Sequence, residues 1–272
     1  MDNETLRKKY NPEGSELRRL QYRMLDILMV FDKICTKYQL PYWLEGGTLI
    51  GAVRHGGFIP WDDDLDVQML RSDVKKLLKV LPKELPSNMA VQTHKTDKYY
   101  LRHIPRIRDL NSKLIVSDKG DWKDYKFQGA FIDILPVDYT GFRFLSLRKV
   151  SFLLKWKRIY LWGTLSNISP VIKYYPFLLC FKMEQLVFWL YMKMGNLFKL
   201  SKIDFSIYGL DFYGLNMDAN IIFPLKKMNF EGHSFYVPNK VDEFLRRYYG
   251  DYMQLPPEDK RKRIHSQEAI FL

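Results

Sequence analysis

The sequence is poor in cysteine, in long uncharged apolar runs and, over one stretch, in acidic residues. Its two cysteines, Cys35 and Cys180, lie far apart and match no spacing typical of a zinc site. So few cysteines in a chain of 272 residues exclude a disulfide framework. We interpret both as small buried hydrophobic residues in a reducing compartment.

No run of uncharged apolar residues reaches the roughly 18 expected of a membrane-spanning helix. The stretch 177–200 comes closest, but Lys182, Glu184, Lys193 and Lys199 interrupt it. The first residues, MDNETLRKKYNPEG, are polar and lack the apolar core of a signal peptide. We therefore expect a cytoplasmic protein, peripheral at most on the inner face of the cytoplasmic membrane.

Acidic residues are scarce between residues 141 and 205, where eleven Lys or Arg stand against only Glu184 and Asp204. Eleven less two gives +9, most of the chain's net charge of +12. The rest of this stretch is rich in Phe, Leu, Trp and Tyr. Helices of this composition suit the surface of an anionic membrane. A helical insert packed on the core, with its basic residues outward, is the alternative.

A chain of 272 residues with 47% hydrophobic residues can bury a sizeable core. We divide it into a catalytic core over 1–140, a basic, aromatic helical insert over 141–205, and a C-terminal hairpin and helix over 206–272 that completes the core. The basic balance suits anionic partners: nucleic acid, nucleotides, anionic lipid or phosphorylated glycan.

Four of the five residues 62–66 are aspartates, and an apolar run follows them. Such crowding of like charge is unfavourable unless a cation neutralises it. Residues two apart on a strand share a face, so Asp62, Asp64 and Asp66 would point one way and the apolar residues the other. Carboxylates placed in this way can converge on one Mg²⁺. A solvated acidic loop or an array of helix caps is the alternative.

A turn of small residues, Gly46, Gly47 and Thr48, follows a short strand predicted at 42–44. Phosphate oxygens need backbone N–H groups at close range, and glycine removes the side chain that would block them. The Thr48 hydroxyl can add a donor, and a helix after the turn would aim its N-terminus at the anion. Arg54, a little further along the chain, is a candidate for a bidentate contact with a phosphate group.

Periodicity predicts the scaffold around these motifs. An apolar stripe at steps of three and four predicts a helix capped by Ser15 and running to about Leu40. Alternation predicts strands over 90–117, one of them across 99–110, and a hairpin over 221–237 with its turn at Glu231 and Gly232. Asn239 can cap a helix that runs through Tyr249. Within the first of these stretches, three arginines share one strand face or form a solvated surface: Arg102, Arg106 and Arg108.

Residues 131–135 form an apolar run with a single acid, Asp133, at its centre. A lone charge in such a run is expensive to bury without a partner. A metal ion that Asp133 binds together with Asp64 and Asp66 would neutralise this charge. The alternative role for Asp133 is to accept the proton of an attacking hydroxyl.

The block GGTLIGAVRHGGFIPWDDDLDV resembles the hallmark of the LicD family, which includes the phosphocholine transferases of bacterial glycans. Fukutin and fukutin-related protein are more distant relatives, and the family belongs to the nucleotidyltransferase superfamily. The blocks QGAFIDILPVD and FEGHSFYVPNKVDEFLRRYYGDYMQLPP are similar to further family blocks. The resemblance implies an α/β (α+β) fold, a nucleotidyltransferase-like mixed sheet flanked by helices, with the basic helical insert added.

The resemblance also implies a chemistry. Mg²⁺, or Mn²⁺ in its place, is held by Asp64, Asp66 and Asp133, which are also the catalytic residues. Phosphocholine passes from CDP-choline to a hydroxyl of a cell-surface glycan, capsular polysaccharide or lipopolysaccharide, or its lipid-linked oligosaccharide precursor, and CMP is released. The residues expected to bind the nucleotide are Gly46, Gly47, Thr48, Arg54 and Arg108.

Several alternatives stay open. CDP-ethanolamine, CDP-glycerol, CDP-ribitol and CMP-aminoethylphosphonate are neighbouring donors, and nucleic acid is not an expected partner. A metal-dependent glycosyltransferase is a second class, although the glycine turn before the acids argues against it. A non-catalytic module that binds anionic surfaces is a third class, which the net charge alone would permit.

Overall fold

The computed structural model describes residues 2–116, 124–140, 162, 164–165, 167–195, 202–204 and 216–272. Its helices and strands follow in chain order: α1 (Asn3–Tyr10), α2 (Glu16–Lys37), β1 (Trp43–Leu44), α3 (Gly46–His55), β2 (Asp66–Leu70), α4 (Arg71–Glu84), β3 (Met89–Gln92), β4 (Arg106–Asp109), β5 (Ser112–Ile115), β6 (Phe131–Thr140), α5 (Pro170–Gly195), β7 (Lys202–Asp204), β8 (Asn216–Asp218), α6 (Ala219–Ile222), β9 (Lys226–Phe230), β10 (His233–Val237), α7 (Val241–Tyr249), a 3₁₀ turn (Glu258–Lys260) and β11 (Glu268–Phe271).

Helix α2 is the scaffold that its apolar stripe predicts. The Ser15 hydroxyl accepts the backbone N–H of Arg18 at 3.2 Å, which caps the first turn. Leu20, Met24 and other stripe residues are fully buried, so the helix stays in place by packing. It ends at Lys37, a little before the predicted end, and the chain turns there through a residue with positive φ.

The central sheet has the order β1-β2-β6-β4-β3, and β7 and β8 extend it along the far end of β6. Strands β2 and β6 run parallel, whereas β1 with β2, β6 with β4, and β4 with β3 are antiparallel. Helices α2 and α4 pack against this sheet. The predicted mixed sheet flanked by helices is therefore confirmed.

The strand predicted across residues 99–110 is much shorter in the structure. Tyr100 and Leu101 close tight turns through backbone bonds to Asp97 at 3.0 Å and Tyr99 at 2.9 Å, so this part cannot extend. Pro105 has no N–H to give to a ladder, and β4 begins only after it. The tertiary turns override the local alternation here.

The C-terminal hairpin, β9 and β10, forms around the predicted turn, where Glu231 and Gly232 have φ values of 51° and 82°. Helix α7 also forms as predicted, but Asn239 does not cap it. Its side-chain amide donates instead to the carbonyl of Asn220 at 3.3 Å, and Lys240 is the cap residue. Strand β11, which pairs with β5, was not predicted.

Much of the predicted insert lies outside the described residues, but helix α5 within it is described. Its inner side packs through Phe177 and Phe181 against Leu101, and its buried Glu184 bonds to His103 at 2.7 Å. In the portion of the chain that the structure covers, no helix is both long and apolar enough to cross a bilayer.

Candidate active site

The parallel pairing of β2 with β6 brings together two acids from distant parts of the sequence. Asp66 and Asp133 are register partners, and the N–H of Asp133 donates to the carbonyl of Leu65 at 2.9 Å. Partners in register on adjacent strands, about 4.8 Å apart, point their side chains to the same face. The ladder therefore places one acid of the aspartate run beside the lone acid of the apolar strand.

The aspartate run keeps the predicted alternation, although β2 begins only at Asp66. The odd-numbered residues from 61 to 67 are buried, whereas Asp62, Asp64 and Asp66 are each half-buried. The carboxylate of Asp64 is also one of the causes that raise the pKa of Asp62. The extended chain before the strand thus continues its face, and three carboxyl groups point to one side.

We call the side that carries Asp62, Asp64, Asp66 and Asp133 the carboxylate face. Helix α3 starts at the glycine turn and approaches this face. A Cβ on Gly46, whose φ is +55°, would lie 3.4 Å from Asp66 Oδ2, and one on Gly47 would lie 2.6 Å from Asp62 Oδ2. The Thr48 hydroxyl accepts the N–H of Asp66 at 2.9 Å, which ties the first turn of the helix to β2. The N-terminus of α3 and the acids therefore form one site.

Burial and the neighbouring acids shift the pKa values of several carboxyl groups on this face. Burial and neighbouring carboxylates, Asp64 first among them, raise the pKa of Asp62 and of Asp66 well above the usual range. Burial also raises the pKa of Glu45, the residue before α3, to about 7. Glu45 was not predicted, because a single acid next to a glycine turn carries no periodic signal.

Two basic side chains, Arg106 and His265, contact these acids. Both oxygens of Asp133 accept from Arg106, through Nε at short range and through Nη2 at 2.9 Å. His265 Nε2 lies 2.9 Å from Asp64 Oδ2. Although burial opposes the ionisation of Asp64, its bond to His265 and their attraction hold the pKa of Asp64 below the usual value. Arg106 was predicted only as part of a basic face, and His265 without a role.

Asp63, the odd-numbered member of the run, has a different task. It is fully buried and accepts the N–H groups of Ile264 and His265, each at 3.2 Å, and that of Ser266 at 2.6 Å. The Ser266 hydroxyl adds a bond of 2.7 Å. We call residues 264–266 the closing loop, since Asp63 holds it where His265 reaches Asp64. No local pattern reveals this contact across 200 residues of sequence.

The two arginines predicted to bind the nucleotide have internal partners. Arg54 donates to the carbonyl of Tyr252 at 2.9 Å and to the His55 ring at 2.9 Å. Arg108 is fully buried, donates to Gln92 at 2.7 Å and has its pKa lowered to about 9 by burial. Arg108 lies on β4, an inner strand of the sheet, and its nucleotide role stays a prediction.

The donor set on the carboxylate face fits a divalent cation in chemistry and charge. Carboxylate oxygens are the ligands that Mg²⁺ prefers, and a bound cation would offset the burial and the carboxylate repulsion that raise the pKa values of Asp62 and Asp66. Among the described residues, no three acids, histidines or cysteines already converge as a metal site. The set of Asp64, Asp66 and Asp133 stays a prediction.

Fold and site together define the class of protein. A mixed sheet flanked by helices carries acids on two adjacent parallel strands, beside a helix that begins at two glycines. This is the nucleotidyltransferase arrangement. Comparison with protein families agrees, because residues 39–144 match the family described as LicD/FKTN/FKRP, nucleotidyltransferase domain.

Similarity to individual proteins extends over nearly the whole chain. It is 32% identical to the lipopolysaccharide cholinephosphotransferase LicD of Haemophilus influenzae, over 94% of this chain and 98% of that protein. The chain therefore belongs to the LicD family, and it is a phosphotransferase. A segment of 33 residues is 61% identical to the ribitol 5-phosphate transferase FKRP of Homo sapiens, and covers 12% of this chain and 7% of that protein. The predicted family and enzyme class are confirmed.

Proposed function

We propose that the protein transfers a phospho-alcohol group, phosphocholine from CDP-choline, to a hydroxyl of a cell-surface glycan or its lipid-linked precursor, with release of CMP. The observation that carries this proposal is the pairing of Asp66 with Asp133 beside the N-terminus of α3. The similarity to a lipopolysaccharide cholinephosphotransferase over 98% of its length supports the choice of donor and acceptor.

In this proposal each part of the site has a role. Backbone N–H groups at Gly46 and Gly47 bind the diphosphate, since nothing beyond a hydrogen occupies their α-carbons and the helix dipole favours an anion there. Asp64, Asp66 and Asp133 would hold Mg²⁺, or Mn²⁺, which when bound neutralises the diphosphate and polarises its oxygens. The Arg106 bonds leave further lone pairs on both Asp133 oxygens, so Asp133 can serve as a ligand while it stays paired.

The transfer itself is an in-line displacement. The glycan hydroxyl attacks the phosphorus that carries the alcohol, the bond from that phosphorus to the bridging oxygen breaks, and CMP leaves with the bonding electrons. The hydroxyl proton passes to a carboxylate on the same face. Water must be kept out of the closed site, and the closing loop covers the carboxylate face at Asp64.

A nucleotide-release assay, which detects CMP from the cytidine donors and UDP from UDP-sugars, tests this function over a panel of donors. The panel contains CDP-choline, CDP-ethanolamine, CDP-glycerol, CDP-ribitol, CMP-aminoethylphosphonate and UDP-sugars, each with a glycan acceptor and with or without Mg²⁺. We expect CMP release that requires Mg²⁺ and is fastest with CDP-choline. A faster reaction with another CDP-alcohol would change the donor only, whereas turnover of UDP-sugars alone would make the protein a glycosyltransferase and refute the proposal.

A further inference from the structure

Helix α5 exposes an apolar stripe along its length. Among the residues that the structure describes, sixteen large apolar side chains are exposed, and eight of them lie on this one helix. Six of the eight recur at steps of three and four, so they share one side of the helix. The stripe consists of Ile172, Tyr175, Leu179, Met183, Leu186 and Leu190, which are 43% to 71% exposed.

The opposite side of α5 is where the helix packs on the protein. Lys173, Phe177, Phe181, Glu184 and Phe188, also at steps of three and four, are buried. The helix is thus apolar on both sides, and the two charged residues on the inner side have internal partners. Lys173 donates to carbonyls of the preceding turn, and Glu184 bonds to His103. Packing on this protein therefore explains the inner side but leaves the outer stripe unexplained.

The surroundings of the stripe are basic. Between residues 170 and 190, where side chains are described, Lys182 is the one exposed charge on the helix. The neighbouring segments add exposed lysines: Lys75 and Lys79 from α4, next to Phe181 and Gln185 in a shared groove, and Lys95 and Lys98 from the loop after β3. An apolar stripe bordered by lysines complements a surface that is apolar within and anionic at its rim.

We propose that α5 lies flat on an anionic membrane, with the stripe at the acyl boundary and the flanking lysines among the headgroups. Two forces bind interfacial helices, apolar burial and attraction to anionic lipid, and the stripe and the flanking lysines supply them both. The stripe from residue 172 to 190 is about 27 Å long at 1.5 Å per residue, enough to lie along a surface. A second copy of the chain fits less well, because it would bring two basic faces together.

The first test is flotation of the full-length protein with lipid vesicles. Vesicles of phosphatidylcholine alone are compared with vesicles that also contain about 30% phosphatidylglycerol, at low and at high salt. We expect the protein to float with the anionic vesicles, and about tenfold less protein to float with the neutral ones or at high salt. Protein that stays at the bottom of the gradient with both kinds of vesicle overturns the proposal.

A matched pair of variants tests the stripe itself. The test variant carries Ile172→Glu, Leu179→Glu and Leu186→Glu, and the control carries Leu110→Glu, Ile270→Glu and Leu272→Glu, which are also exposed and change the net charge equally. We expect the test variant to lose vesicle binding by about tenfold or more and the control to bind as the wild type does. CMP release from soluble substrates should be unchanged in both, which separates this proposal from that of the function.

Two results would count against α5 as the contact. Equal vesicle binding by the test and control variants would show that charge alone attaches the protein. A wild-type protein that ignores vesicles but forms a dimer, which the α5 substitutions dissociate, would assign the stripe to a second copy of the chain. Circular dichroism of both variants checks that the helix content is retained.

Discussion

At the scale of single residues, the carboxylate face keeps a charge distribution that folding alone would not favour. Asp62 and Asp66 have raised pKa values because burial and neighbouring acids oppose their ionisation. An acid whose pKa is raised by folding stabilises the folded state at pH values below its ordinary pKa. This stabilisation is lost as the pH rises through the raised pKa. At neutral pH these acids therefore cost stability, which fits a site arranged for binding.

Replacing one of these acids should separate function from stability. We expect Asp66→Asn to lower CMP release by at least about a hundredfold, because one of the proposed metal ligands and its charge are lost. Without added metal, its melting temperature should equal or exceed that of the wild type, since the substitution relieves repulsion. Thermal unfolding and the CMP assay measure both, with the exposed Glu4→Gln as control. A large loss of stability with normal turnover would make Asp66 a structural residue.

At the scale of elements, two of the three glycines in helix α3, Gly47 and Gly51, have different purposes. A Cβ on Gly47 meets the carboxylate of Asp62 at 2.6 Å, whereas a Cβ on Gly51 meets the backbone carbonyl of Gly57. A carboxylate can turn aside, but a carbonyl of the main chain cannot move without shifting the turn after the helix. The first glycine therefore belongs to the site and the second to the packing.

This contrast predicts opposite results for two matched substitutions. Gly51→Ala should destabilise the fold by about 1–3 kcal/mol through overpacking, and the activity of its folded fraction should stay near that of the wild type. Gly47→Ala should change stability by less than about 1 kcal/mol but lower CMP release by about tenfold or more. Urea unfolding and the kinetic assay compare the two variants. The same profile for both variants would remove the distinction.

The closing loop is the second element on which the site depends. Asp63→Asn replaces an acceptor of three N–H groups by an amide that can present only one oxygen. We expect the free energy of unfolding to fall by about 2 kcal/mol. The backbone amides of residues 264–266 should exchange hydrogen faster, while the amides of β2 stay protected. CMP release should fall because His265 leaves Asp64. Unchanged exchange in the loop would mean that Asp63 does not hold it.

Elements with a strong local pattern were predictable, and those that depend on distant partners were not. The apolar stripe of α2, the alternation of Asp62, Asp64 and Asp66, and the positive-φ turn at Glu231 and Gly232 are local signals, and each one appears in the structure. The short strand β11, the pairing of Arg106 with Asp133 and the closing loop arise only when segments tens to hundreds of residues apart meet. Sequence periodicity carries no information on such contacts.

At the scale of the whole molecule, Glu231 joins the N-terminal helices to the C-terminal hairpin. Its buried carboxylate bonds to Arg18 at 2.6 Å and to Arg7 at 3.1 Å, and accepts the N–H of Phe58 at 3.0 Å. Burial opposes its ionisation, but the bond to Arg18 and the arginine charges prevail and lower the pKa of Glu231. One ionised group thus links helices α1 and α2 and the turn after α3 to the β9–β10 hairpin.

The lowered pKa gives this contact a pH dependence with a defined sign. The contact stabilises the folded protein at pH values above 4.5, the ordinary pKa of Glu in the unfolded chain. This stabilisation is lost as the pH falls through the lowered pKa that Glu231 has in the folded protein. We expect Glu231→Gln to lower the free energy of unfolding by about 3 kcal/mol at pH 7. This difference from the wild type should shrink below about pH 4.5. Urea unfolding between pH 7 and pH 3 measures it. A difference that does not vary with pH would contradict the ionised pair.

The central claim is that acids from β2 and β6 bind one divalent cation beside a nucleotide at the start of α3. Calorimetric titration of Mn²⁺ into the protein with CMP present tests it most directly. The account predicts binding by the wild type and by Glu4→Gln, and affinity at least about tenfold weaker in Asp66→Asn and in Asp133→Asn. Equal Mn²⁺ affinity in all four proteins would contradict it.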